Sequence, residues 1–557
     1  ESPRVPNPGA FRFWHCIRAI MNFVTRKIRL SLLLFVSMAA AGAPDNRPER
    51  LEWFRDQGFG LFIHWSVDSQ LGTVISHSMA GASEDYVKRF ILELPKTFNP
   101  RKFYPQDWAA LAKLAGVRYV VFTTKHHSGF CMWPTATTDF HIGNTPFKRD
   151  IVKEVVDAFR GQGIAPGMYF SPDDFAWSHR NGVILDRHRP EVLPTSNPGL
   201  MALNKAQMKE LLSNYGPIDI LFFDGQADGL REQSWEMQHN VVVTRGAIKT
   251  PEQYVPGAPL EGTWEACLTM GTAWQYQPRN EVYKSGGGLI SLLVETRARG
   301  GNLLLNVGPK PDGELPIEQE ERLREMALWM FVNGEAIHGT RPWVVTNEGD
   351  YWFTRKKGED TLYVIVKEKE RWQRGEWKEI LLRSVQSTAN SAASVLGQSD
   401  QVLEYRTTVI PKTTMRQDAD GLHIRAMHAQ RLQDNSRWPN PVVLKITNVK
   451  PALTPPAVET GQASRNAAGR VTLEGTLAAL GSAKSVEVWF EYRSLKGLDA
   501  NERSGAWQRT TPQRQDAAGA FRAEVSGWEP GEPYEFRAAV KHPVLTLYGE
   551  GKRVTLP

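Results

Sequence analysis

Ile218-Asp219-Ile220-Leu221-Phe222-Phe223-Asp224-Gly225 is the stretch on which the reading of this chain turns. Its first six residues are short and almost wholly apolar, the pattern of a strand buried on both faces, and such strands belong to parallel sheets. The run then stops on a carboxylate and a glycine. Asp224 has two readings. It caps the helix that follows, or it sits at the mouth of the sheet, partly desolvated and aimed at a ligand that Gly225 lets approach closely.

The same signature recurs on both sides of this stretch. Phe59–Trp65, Tyr119–Thr124, Pro166–Ser171, Val241–Thr244 and Leu303–Val307 are further apolar runs. Between and after them, Asp107–Leu114, Ile151–Arg160, Ala206–Ser213 and Glu320–Phe331 carry apolar residues at helical spacing. Repeated strand–helix units predict a (β/α) TIM-like barrel over 44–340, with a doubly wound sheet as the second choice. The barrel is favoured because most runs are followed by His, Asp, Arg or another polar residue, and in a barrel those ends share one rim. From 341 to 450 short strands separated by turns predict a β-sandwich. Residues 451–470 are rich in Pro, Ala and Thr and read as a linker. Residues 471–557 alternate, as in Val486-Glu487-Val488-Trp489, and predict a fibronectin type III or immunoglobulin-like β-sandwich whose Trp489, Trp507 and Trp528 read as core. The fold class expected is therefore multidomain, α/β plus all-β.

Residues 1–43 stand apart. Met21 opens a stretch with Arg26, Lys27 and Arg29, an apolar core Leu30–Met38 and small residues Ala39-Ala40-Ala41-Gly42-Ala43. That is the layout of a cleaved signal peptide preceded by an upstream segment, and it predicts a secreted or periplasmic protein. The leader also explains the charge. The chain of 557 residues has a formal net charge of +6, but Arg4, Arg12, Arg18, Arg26, Lys27 and Arg29 against Glu1 account for nearly all of it. The body has no basic field for nucleic acid. It has no apolar run long enough to span a bilayer, so no membrane span is expected in the mature protein. Cys131 and Cys267, the two cysteines beyond the leader, either bridge to each other or, as the blander reading has it, are buried free thiols.

Several polar residues at strand ends carry candidate chemistry. Glu265, in Trp264-Glu265-Ala266-Cys267, is either a surface residue or a second carboxyl at the same rim as Asp224. Two such groups are what glycoside hydrolysis needs: a carboxylate to attack the anomeric carbon and an acid to protonate the leaving oxygen, with Trp264 lowering the polarity around the acid. His64 ends one run, and His126 and His127 follow another. They suit hydrogen bonds to sugar hydroxyls; metal ligation is the rival reading, but no HExxH or CxxC spacing accompanies them. Arg245 follows Val241–Thr244, either bridging two carboxylates or forming a structural ion pair.

Five motifs in this order carry a resemblance: Gly60-Leu61-Phe62-Ile63-His64-Trp65, Lys125-His126-His127-Ser128-Gly129-Phe130, Phe223-Asp224-Gly225, Trp264-Glu265 and Gly301–Pro309. Over about residues 50–450 the chain resembles the α-L-fucosidases of glycoside hydrolase family 29. The resemblance implies a retaining exo-hydrolase of terminal α-L-fucose on oligosaccharides or glycoconjugates, with no cofactor and no metal. It implies Asp224 as nucleophile, Glu265 as acid/base, and His64, His126, His127 and Arg245 as sugar contacts, and Trp264 beside the acid is expected to bind the substrate as well. It places Tyr169 or its neighbour Phe170 in the pocket too, and matches Trp274 and Tyr276 to an aromatic pair. Two departures stand out. Trp65-Ser66 replaces Trp-Gly, and Ile75-Ser76-His77-Ser78 lies where many members have Glu-Trp in a loop that shapes the pocket. That loop motivates a second reading, a retaining glycosidase of α-L-galactosides or β-D-galactosides. A third is a carbohydrate-binding protein that has lost catalysis.

Overall fold

The computed structural model describes residues 45–367, 372–401, 407–429, 440–495, 507–542 and 545–557. The leader, Cys16 included, lies outside the described residues. Strands β1 (Phe59–Ile63), β2 (Tyr119–Lys125), β3 (Ala165–Phe170), β4 (Ile220–Phe223), β5 (Val242–Val243), β6 (Glu265–Thr269) and β7 (Asn302–Val307) form one parallel sheet in the order β5-β4-β3-β2-β1-β7-β6. Helices follow them as the periodicity predicts, among them α5 (Ile151–Gly161), α7 (Pro198–Asn214) and α10 (Ile317–Asn333). Their apolar faces cover the outer side of the sheet.

The sheet curls until its inner face closes on itself. Phe62 of β1, Tyr169 of β3, Phe222 of β4, Cys267 of β6 and Leu304 of β7 belong to one interior cluster. The outermost strands β5 and β6 are not paired with each other. Instead residues 249–253 lie along β6, with Glu265 N donating to Lys249 O (3.1 Å), Cys267 N to Pro251 O (3.0 Å) and Gln253 N to Cys267 O (2.9 Å). This irregular segment stands where an eighth stave of the barrel is expected.

One irregularity decides what faces the interior. Along β2, Tyr119 and Val121 point inward, and Val120 and Phe122 point to the helices. A β-bulge at Thr124 shifts the register, so that Thr123 pairs with Tyr169 but Lys125 pairs with Phe170. Lys125 is thereby turned outward, fully buried, with its Nζ on Asn204 Oδ1 and Gln207 Oε1 (2.9 Å each) of α7. Phe170 lies under that ammonium, 4.3 Å from the ring centroid, so Tyr169 and not Phe170 faces inward.

Beyond residue 340 every strand pairing among the described residues is antiparallel. A five-stranded and a three-stranded sheet, built from 340–451, enclose one core. The stretch expected to be a linker is largely structured: Ala457–Arg465 is a strand paired with Val471–Ala479, and small residues alternating with polar ones make it a solvated edge. It opens a second two-sheet unit with its own core, which includes Trp528; Trp489, expected there too, is buried on the opposite face of its strand from Val488 and Phe490, with the Arg509 guanidinium 5.5 Å from its ring centre. Trp507 is only partly covered and lies between Arg493 and Arg537, with guanidinium carbons 4.5 and 4.3 Å from its ring.

Candidate active site

Alternation along a strand continues past its end. Ile220 and Phe222 face the interior, and Asp224, two residues on, keeps that direction. In the same way His64 follows Phe62 and Asn306 follows Leu304, so the upper layer of side chains is polar where the layer beneath is apolar. Asp224 is not a helix cap; the next helix starts at Leu230 behind Gly229. Gly225 has φ +143°, a conformation that a side chain would strain.

Asp224 is heavily tied yet 19% exposed to the pocket. Its Oδ2 accepts from Tyr169 Oη at 2.8 Å and lies 3.3 Å from His127 Nε2. Its Oδ1 faces two guanidinium groups, Arg187 Nη2 at 3.1 Å and Arg245 Nη1 at 3.3 Å. Burial raises the carboxyl's pKa, but His127, Arg187 and Arg245 outweigh it and hold the group well below the usual carboxylate range. Asp224 is therefore an anion with one face open to a ligand.

The histidines are held neutral. His64 Nδ1 is 2.6 Å from Asn306 Oδ1, His126 Nδ1 2.9 Å from Ser76 Oγ, and His127 Nδ1 2.6 Å from Ser171 Oγ. Burial pushes the pKa of His64 and of His127 down to about 4, and that of His126 well below its usual value. Because an amide oxygen only accepts, Nδ1 of His64 carries the proton and Nε2 is left to accept from a ligand hydroxyl. His126 stacks on Tyr169, ring centroids 5.2 Å apart and 3° from parallel. His126, His127 and Asp224 also bring one donor atom each within 4.8 Å of one another. Two guanidinium groups already neutralise Asp224, however, so this set suits sugar hydroxyls rather than a cation.

Glu265, expected at the rim beside Asp224, does not share its pocket. That residue opens β6 rather than ending it, pairs in register with Asn302 at the start of β7, and is fully buried at the floor of the barrel. Tyr119 Oη donates to its Oε2 at 2.5 Å, and burial pushes its pKa up to about 7. It does not line the pocket of Asp224. Trp264 points away likewise: it is 1% exposed and packs where a side chain on Gly301 would clash, 2.4 Å from the indole. The carboxylate that does line the pocket is Glu252, on the segment that fills the eighth-stave position. Arg245 joins the two acids, with Nη2 2.7 Å from Glu252 Oε2 while Nη1 faces Asp224.

The rest of the wall is Phe62, Ile75, His77, Phe222, Trp274 and Cys267. Cys131 and Cys267 are both buried free thiols. The divergent 75–78 loop does form part of the pocket, through Ile75, His77 and the Ser76–His126 contact. Arg187, Glu252 and His77 were not singled out as site residues by the sequence. Thr250-Pro251-Glu252 offered one faint signal, an acid just past a strand end; Arg187 lies in a long stretch without periodicity and offered none.

The profile of the alpha-L-fucosidase family matches residues 41–335, more than half of the chain. The chain belongs to this family, glycoside hydrolase family 29. Within the α-L-fucosidases, it is 31% identical to the plasma alpha-L-fucosidase of Homo sapiens over 358 residues, which cover 56% of this chain and 75% of that one. It is 30% identical to a putative alpha-L-fucosidase of Caenorhabditis elegans over 422 residues, 64% of this chain and 84% of the relative. Alpha-L-fucosidase isoenzyme 1 from Paenibacillus thiaminolyticus superposes with a TM-score of 0.57 at 28% identity, covering 72% of this chain and 98% of that chain. An α-fucosidase of Thermotoga maritima in complex with a mechanism-based inhibitor gives 0.56 at 26%, covering 72% and 99%. Among the described residues no helix is long and apolar enough to cross a membrane.

Proposed function

We propose that this chain is a retaining exo-α-L-fucosidase in which Asp224 is the nucleophile and Glu252 the acid/base. The observation that carries the reading is Arg245, one guanidinium bonded to both carboxylates at the mouth of a single pocket. A guanidinium with two hydrogen bonds keeps its partners within the few ångströms that double displacement needs, about 5 Å. Fucose enters with its hydroxyls toward His64 and His126 and its apolar methyl toward Phe222, Trp274 or Ile75. Asp224, already ionised, attacks the anomeric carbon while Glu252, as the general acid, gives a proton to the glycosidic oxygen. The aglycone leaves, and Glu252, now a base, takes a proton from the water that opens the fucosyl ester. Net configuration is kept. Tyr169 and His127 hold Asp224 Oδ2, and so set the oxygen that attacks.

The test is hydrolysis of an aryl α-L-fucoside by the wild type and by Asp224→Gly. The variant is expected to lose on the order of 10⁴-fold in kcat. Azide is expected to restore turnover and give β-L-fucosyl azide. A variant that keeps full activity removes Asp224 from the role. We also infer that 21–43 is an export signal, and N-terminal sequencing of the mature protein checks the cleavage after Ala43.

A further inference from the structure

The C-terminal sandwich touches the catalytic part of the chain at the segment that carries Glu252. Lys249 Nζ lies 3.5 Å from both carboxylate oxygens of Glu550. The Arg553 guanidinium sits 5.9 Å from the ring centre of Tyr254. A side chain on Gly257 would meet Arg537 Nη1 at 2.6 Å. Residues 254–258, Leu260 and the sandwich together line a cavity of about 280 Å³.

The sandwich side of this contact is anchored by bonds of its own. Arg537 donates from Nε and Nη2 to Glu491 Oε2 (3.0 and 2.6 Å) and lies on Tyr548, 3.8 Å from its ring centre, as well as on Trp507. Arg493 is bound in the same two-pronged way to Glu535 Oε2 (2.9 and 2.6 Å) and covers the same tryptophan. The loop side is the reverse. Residues 249–253 belong to no strand of the sheet and hang on β6 by three backbone hydrogen bonds. A rigid surface thus backs the one irregular stave of the barrel, and that stave bears the proposed acid.

We infer that the C-terminal sandwich is a positioning element for Glu252, acting through Arg537, Glu550 and Arg553 on 249–257. The inference rests on the reading of Glu252 as acid/base. None of these residues touches the sugar. Their effect is on the angle and reach of the carboxyl toward the glycosidic oxygen, and misplacing a reacting group by about 1 Å costs as much as 100-fold.

An exposed ion pair alone holds little, so the decisive variant is a wedge. Gly257 has a backbone that any residue adopts, and Gly257→Leu drives a side chain into the anchored Arg537 guanidinium. The readout is kcat/KM against leaving-group pKa, from 2,4-dinitrophenyl α-L-fucoside to a fucosyl disaccharide. Protonation matters only for the poor leaving group, so a displaced acid lowers the disaccharide rate about tenfold and the activated rate by about twofold or less. Lys249→Glu is expected to show a weaker form of the same slope, and adding Glu550→Lys to it to restore the slope. Far-ultraviolet circular dichroism establishes that each variant is folded. Equal loss on both substrates, or no loss on either, overturns the inference. Glu252→Gln run alongside separates the two readings. If it shows no leaving-group dependence, the acid assignment fails and the positioning role with it. If it shows a steep dependence and the wedge shows none, only the positioning role fails.

Discussion

The two ends of the barrel hold the same three kinds of side chain and use them in opposite ways. At the rim, Tyr169 bonds Asp224 and Arg245 stands beside it. At the floor, Tyr119 bonds Glu265 and Arg297 lies close by. The rim carboxylate is partly open, is paired with guanidinium groups and is held ionised. The floor carboxyl is sealed, has no guanidinium partner and is held toward its neutral form. Arg297 spends its donors on neutral oxygens, those of Arg55, Gly301, Asn302, Ile337 and Thr340, and burial lowers its pKa to about 9. Composition does not separate a reactive site from a structural one here. Access to solvent and the sign of the neighbouring charge do.

Three measurements sharpen or break this contrast. The largest effect is expected at the rim: Glu252→Gln lowers kcat/KM on a fucosyl disaccharide by about 10²–10⁴-fold, because an amide has no proton to give. Azide added to this variant with an activated fucoside yields the α-L-fucosyl azide. The same experiment on Glu265→Gln leaves both rates within about twofold; a larger loss there moves the acid back to the floor. Next comes Arg297→Met. It takes a donor from five oxygens, of which those of Asn302, Ile337 and Thr340 keep another, and costs about 2–4 kcal/mol of stability, seen as a lower urea midpoint, while kcat of the folded protein is unchanged. Smallest is the pH dependence of Glu265. Its folded pKa, about 7, exceeds the usual 4.5, so the folded state keeps a proton that the unfolded chain has released. The stability this proton provides is complete below pH 4.5 and is lost as pH rises through 7. Glu265→Gln removes that slope from the melting temperature between those two pH values; an unchanged slope contradicts the assignment.

How much of this was legible beforehand follows from what local pattern encodes. Asp224 and His64 were accessible because alternation along an apolar strand fixes the direction of the residues at and just beyond its end, whereas Tyr169 came only with the family resemblance and stayed open against Phe170 until the bulge at Thr124 was seen. Glu265 misled because Trp264-Glu265-Ala266-Cys267 marks a strand without telling which terminus the acid occupies. In a parallel sheet that choice is the whole difference between rim and floor. Glu252 and Arg187 sit in irregular chain, and their convergence on Asp224 is a tertiary event with no local period. The strand Ala457–Arg465 escaped for a related cause: with small residues on one face and polar ones on the other, its alternation is too shallow to stand out from a linker.

The extra residue at Thr124 makes the sugar pocket sensitive to frame. Upstream of it odd-numbered side chains look inward, and just downstream His126 does. Without it the same residues in plain alternation would place the Lys125 ammonium, rather than the uncharged His126 imidazole, inside the cavity, and Asn204 and Gln207 would lose that ammonium. The charge of the cavity thus rests on the spacing of the backbone here as much as on which side chains the strand carries.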